Sequence, residues 1–122
     1  MPVVRIEADV GKNRLRITLS GKPSEADAAA TYEKLDAELA RLRPPIDVLS
    51  DIRGLEELGP ELVEQFKSFG RRLGRFGVRR SVRIVGRSAQ AAVHMERLAR
   101  HLKGHAAHLA FSEAEAEAAF SK

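Results

Sequence analysis

The chain is 122 residues long, 43% hydrophobic and 31% charged, with a formal net charge of +4 and no cysteine. That length fits one domain, residues 1–122, around one core, and without cysteine there are no disulfides, thiolate zinc sites or thiol nucleophile. No apolar run approaches the ~18 residues of a membrane span and no basic-then-apolar leader opens the chain, so a soluble cytoplasmic protein is the expectation.

Val3, Val4 and Ile6 open a first strand, and the turn-like segment Asp9-Val10-Gly11-Lys12-Asn13 separates it from a second. There Leu15, Ile17 and Leu19 alternate with Arg14, Arg16 and Thr18, the period of two expected of a strand with one wet face. The pair reads as an antiparallel hairpin. Ser24 and Asp27 have capping-box spacing, and Ala28, Tyr32, Leu35, Leu39 and Leu42 form a helical stripe that stops at Pro44-Pro45.

Ile46 to Arg53 follows as a strand whose apolar positions do not alternate cleanly, which predicts a central strand covered on both faces. After a short acidic loop, Gly59 and Pro60 suit the N-cap and first position of a helix. Its buried face is set by Leu62, Phe66, Phe69, Leu73 and Phe76, and Gly74 and Gly77 end it. Val78 to Val85 reads as the next strand, Ser88 to Gly104 as a helix, Ala106 to Phe111 as a short strand, and Ser112 caps a last helix ending at Phe120.

The order β-β-α-β-α-β-α-β-α predicts an α/β fold with a mixed, mostly parallel sheet of about five strands, an antiparallel N-terminal hairpin and four helices. With the segment Val48-Leu49-Ser50-Asp51-Ile52-Arg53-Gly54-Leu55, this order resembles the STAS domain, the fold of bacterial anti-sigma factor antagonists, and especially its divergent SpoIIAA-like branch. The resemblance covers nearly the whole chain. It implies a regulatory, non-enzymatic module that binds a protein partner, an anti-sigma factor or kinase-like regulator. In such antagonists a serine just before the second helix is phosphorylated by that partner. Here the matching positions read Leu58-Gly59-Pro60-Glu61, with no hydroxyl, so no phosphoacceptor is expected. Glu57 and Glu61 would either imitate a permanent negative charge or simply complement the helix dipole; Ser50 and Ser68 lie inside a strand and a helix.

Charge is strongly segregated. Residues 1–66 carry 9 Lys/Arg against 13 Asp/Glu, residues 67–105 carry 11 against 1, and residues 106–122 carry 1 against 3. Lys67, Arg71, Arg72, Arg75, Arg79, Arg80, Arg83 and Arg87 make the basic run. They span a helix and a strand and lack exposed aromatics for base stacking, so docking on a protein or plain solvation is favoured over nucleic acid. His94, His101, His105 and His108 have no ligand spacing that would fix a metal, and no cofactor loop is present. The candidate partner surface is therefore Gly54, Glu56, Glu57, Gly59, Glu61 and Glu64 at the end of the central strand and the start of the second helix, with Arg71, Arg72 and Arg75 further along. Such a surface also suits a homodimer that docks acidic end to basic end. The alternative class is a small-ligand, lipid or anionic-membrane-binding domain of the same fold, in contact with a membrane only at its periphery.

Overall fold

The computed structural model describes residues 3–56, 60–85 and 108–121. Strands β1 (Val3–Asp9) and β2 (Arg14–Gly21) form the expected antiparallel hairpin, with Ile6 opposite Ile17. Its turn ends on Asn13, whose φ of 51° is a left-handed conformation that asparagine tolerates. The Asn13 side chain donates to the Arg43 carbonyl at 2.7 Å and accepts from the Arg43 N–H at 2.8 Å. The hairpin is thereby stitched to the segment leading into the third strand.

Helix α1 (Glu25–Leu39) starts at the predicted capping box, with the Ser24 hydroxyl accepting from the Asp27 N–H and the Asp27 carboxylate accepting from the Ser24 N–H. Strand β3 (Ile46–Leu55), helix α2 (Pro60–Phe76) and strand β4 (Val78–Ile84) follow, then strand β5 (His108–Ala110) and helix α3 (Glu113–Phe120), capped by Ser112. The helix expected from Ser88 to Gly104, with His94 and His101, lies outside the described residues, as does His105. So do Glu57 and Gly59.

The five strands lie in the order β1-β2-β3-β4-β5, and every pairing after the hairpin is parallel. β3 is central, as its sequence predicts. A parallel sheet that grows in one direction through crossovers of one hand puts successive connecting helices on the same face. α1 and α2 accordingly share one side, where Leu15, Leu19, Leu35, Leu39, Ile46 and Phe66 belong to the larger core. On the opposite side α3 packs Ala116 and Phe120 onto Leu49, Val82, Ile84 and Ala110.

Several details differ from the sequence expectation, each for a physical reason. β3 runs two residues further, through Gly54 and Leu55. Gly54 is required there because a Cβ would sit 2.9 Å from the Ser20 Cβ, at the register shift between β2 and β3. Gly54→Ala is expected to cost about 1–3 kcal/mol in urea unfolding by forcing those strands apart; a cost below about 0.5 kcal/mol, the surface range, would contradict that close approach. Gly77 alone ends α2, at φ 115°, while Gly74 stays inside the helix. On α1, Thr31 takes a buried position that the stripe assigned to Tyr32, and Tyr32 is 41% exposed on the side facing α2.

β3 is buried on both faces over residues 46–52, as its pattern predicts, but the two faces differ in character. Its even positions do alternate, with Ile46, Val48 and Ile52 in the larger core, and the odd positions Asp47, Leu49 and Asp51 are buried beside the smaller one. The face opposite α1 and α2 therefore combines this small apolar core with a charged layer. The register between β3 and β4 skips Arg79, a bulge that lets Arg79 and Arg80 both reach Asp47, at 3.1 Å each. Arg14, expected on a wet face, is 7% exposed because α3 covers it: its guanidinium lies 3.9 Å from the centre of the Phe120 ring and 2.6 Å from Glu117.

Candidate functional site

The surface singled out from the sequence begins where β3 ends. Arg53 folds back onto Asp51, donating to it at 3.0 and 2.7 Å, and reaches Glu113 of α3 at 3.1 Å. Leu55 is buried, and the exposed Glu56 donates its N–H to the Gly21 carbonyl at 2.9 Å. The strand end is thus fastened on both sides.

Along α2, Glu61 and Glu64 are exposed near the N-terminal end, and Arg71 and Arg75 are exposed near the other. With a rise of 1.5 Å per residue, Glu61 and Arg75 stand about 21 Å apart. Lys67 pairs with Glu64 at 3.3 Å, and Arg71 donates to the Ser68 hydroxyl at 3.0 Å. Arg72 is turned to the other side of the helix, where it holds Asp36 of α1 at 2.6 Å. Glu64, Arg71 and Arg75 thus share one outward strip, Glu61 stands at its groove-side margin, and Arg72 lies in the seam between the helices.

That seam contains a feature that the sequence reading missed. Between the N-terminal halves of α1 and α2 lies a groove of about 390 Å³, lined largely by Ala28, Ala29, Tyr32, Phe66 and Phe69, with Gln65 and Ser68 beside them. Tyr32 meets Phe69 edge to face at 6.2 Å, and Phe69 meets Phe66 in the same way at 6.4 Å. Short side chains at positions 28 and 29 leave the gap; the large rings of α2 form its floor. The run Ala28-Ala29-Ala30 was the available signal, since it places no bulky side chain on α1 opposite the phenylalanines. Glu61 lies one turn before Gln65 on the same helical row, so the acidic end of α2 borders the groove.

On the far face of the sheet a polar hollow of about 460 Å³ is lined by Glu7, Asp9, Lys12, Arg41 and the ion pairs under α3. The Arg16 hydrogen bond holds the Glu113 carboxyl below the usual range, and the Arg14 hydrogen bond does the same for Glu117. Burial pushes the Asp51 carboxyl up, but hydrogen bonds and charge from Arg53 and the charge of Arg16 outweigh it and hold it low. These groups bind one another, which makes the layer a structural tie between α3 and the sheet.

Much of the basic run is likewise engaged within the chain. Arg72 holds Asp36, and Arg79 and Arg80 hold Asp47. Ser50 is buried at 8% exposure, and Ser68 sits on α2 beside Arg71. Among the described residues no three His, Cys, Asp or Glu side chains are placed to hold a metal ion, and no helix is long and apolar enough to cross a membrane. His108 is exposed on β5.

No protein-family model matches the chain, and no curated protein sequence matches it. Solved structures do. An uncharacterized protein of the DUF3478 family with a SpoIIAA-like fold, from Shewanella loihica, superposes with a TM-score of 0.72 at 20% identity, over 96% of this chain and 91% of that one. An anti-sigma factor antagonist from Mycobacterium paratuberculosis superposes with a TM-score of 0.62 at 19% identity, over 100% of this chain and 96% of that one. The chain has the SpoIIAA-like, STAS-type fold that its element order resembles.

Proposed function

We propose that this protein is a non-enzymatic regulatory module of the cytoplasm that binds a protein partner across α2 and the adjoining groove, without a phosphoserine switch. The observation that carries this reading is the apolar α1–α2 groove bordered by a charged strip on α2, acidic at one end and basic at the other. Protein interfaces combine an apolar centre, enriched in aromatic residues, with a polar rim, and the groove with Tyr32, Glu61, Glu64, Arg71 and Arg75 has that anatomy. The SpoIIAA-like fold, shared with an anti-sigma factor antagonist, agrees with it. The partner would carry an apolar anchor for the groove, with basic residues toward Glu56, Glu57 and Glu61 and acidic residues toward Arg71 and Arg75. An anti-sigma or kinase-like regulator is the class favoured by the fold.

The groove also suits a second reading, in which a small apolar ligand or lipid occupies it. Immobilised protein separates the two. The first reading expects one dominant captured protein, lost when Glu56, Glu57 and Glu61 are reversed to lysine and when Tyr32→Arg blocks the groove, with unchanged thermal unfolding. Capture unaffected by either variant would place the partner surface elsewhere. Retention on anionic vesicles that salt abolishes, with no captured protein, would replace the first reading by the membrane one.

A further inference from the structure

We infer that β1 is a self-pairing edge, through which two copies of this chain join their sheets across a two-fold axis at Ile6. The inference is independent of the partner surface on α2, since β1 lies at the far edge of the sheet. Among the described residues β1, with seven residues, has β2 as its only neighbouring strand, and the strand at the opposite edge, β5, has three. An edge strand of that length offers unpaired backbone donors and acceptors to another strand, and proteins usually guard such an edge.

The side chains on β1 guard it against most partners but complement a second copy. Arg5 and Glu7 are both exposed on the face away from α1, and among the described residues neither has an ion-pair partner. Opposite Glu7 on β2 stands Arg16, which is already committed to Glu113 and Asp51. In an antiparallel pair centred on Ile6, Arg5 of each copy faces Glu7 of the other, so the dimer gains two opposite-charge cross-strand pairs. On the helix face, half-buried Val4 of each copy meets half-buried Ala8 of the other beside the two buried Ile6 side chains.

The alternatives are penalised. Centring the axis on Arg5 opposes two arginines, and centring it on Glu7 opposes two glutamates at the axis and turns Arg5 toward Asp9, which already accepts from the Lys12 N–H. Centring it between two residues pairs a helix-face position with an outer-face one and would place the two α1 helices on opposite sides of the joined sheet. Helix α1 extends the match. The Thr31 hydroxyl reaches the Val4 carbonyl at 3.3 Å, which sets the row Thr31, Lys34, Glu38 along the β1 side of the helix. The same two-fold axis turns Lys34 of one copy toward Glu38 of the other.

Sedimentation velocity over a range from low to high micromolar protein tests this. The parent chain should form a dimer. Arg5→Glu and Glu7→Arg should each raise the dimer dissociation constant about tenfold or more, because each converts two attractive contacts into two repulsive ones. The double variant Arg5→Glu/Glu7→Arg should recover parental association. Arg5 is exposed and faces Thr18 on β2, so Arg5→Glu should leave the thermal unfolding of dilute, monomeric protein unchanged. As a second measurement on this cysteine-free chain, a mixture of Arg5→Cys and Glu7→Cys proteins should cross-link under mild oxidation faster than either protein alone. A parent that stays monomeric, single reversals that leave association unchanged, or a double variant that fails to recover it would each overturn the inference, as would cross-linking without preference for the mixture.

Discussion

Phe66→Ala and Phe69→Ala are each expected to lower the unfolding free energy by about 3–5 kcal/mol, measured by urea denaturation. Both rings are buried, at 7% and 6% exposure, and they join α2 to the sheet beneath and to α1 beside it. Their truncation leaves a cavity that the surrounding strands cannot close, because β3 is paired on both sides. A domain of this kind holds roughly 5–15 kcal/mol of stability in total, so either variant should unfold at markedly lower denaturant. The rings touch edge to face, so the double variant should depart from additivity by about 0.5–1.5 kcal/mol. A single-variant loss below about 1 kcal/mol would mean that the groove lets the helix resettle, as exposed sites do.

What could be read from the sequence divides along a physical line. Local signals were sufficient for the hairpin, the Ser24–Asp27 capping box, the apolar stripe of α2 and the central place of β3, because each rests on spacings within one element. Groups joined across the chain were not legible. Asp47 and Asp51 looked like interruptions in an apolar strand, since their partners come from Arg79 and Arg80 in one case and from Arg16 and Arg53 in the other. The bulge that brings Arg79 beside Arg80 leaves no mark in the local periodicity of β4. Arg14 and Arg16 alternated with leucine and isoleucine as solvent-facing residues would, and only the return of α3 over the sheet shows that they carry Glu117 and Glu113.

The candidate site shows the same division. The acidic and basic ends of α2 were countable residue by residue, but whether a given arginine faces outward depends on its helical phase relative to α1. Arg71 and Arg75 face solvent, while Arg72 meets Asp36, which is 36 residues earlier in the chain. The groove exists because small residues on one helix oppose large ones on another. No pattern within either helix alone announces that.

Asp47→Ala should cost about 2–3 kcal/mol near neutral pH, and the cost should fade in acid. The carboxylate is 3% exposed and accepts from two guanidinium groups, so its removal forfeits charge-assisted hydrogen bonds between β3 and β4. The arginines are partly exposed and regain water, which keeps the cost below that of stranding a buried charge. Burial pushes the Asp47 carboxyl up, but the hydrogen bonds and charges of Arg79 and Arg80 outweigh it and hold it below its ordinary value. A carboxyl depressed in the folded state stabilises that state above its unfolded pKa of ~3.9, and the contribution disappears as pH falls through the folded value. Asp51, Glu113 and Glu117 are depressed as well, so the parent should lose stability on acidification through several groups that tie α3 and β4 to the sheet. Unfolding free energies from pH 7 down to the acid limit, compared between parent and Asp47→Ala, should converge as the parent's carboxyl is protonated. Parallel curves would mean that the loss comes from packing at position 47 and not from its charge.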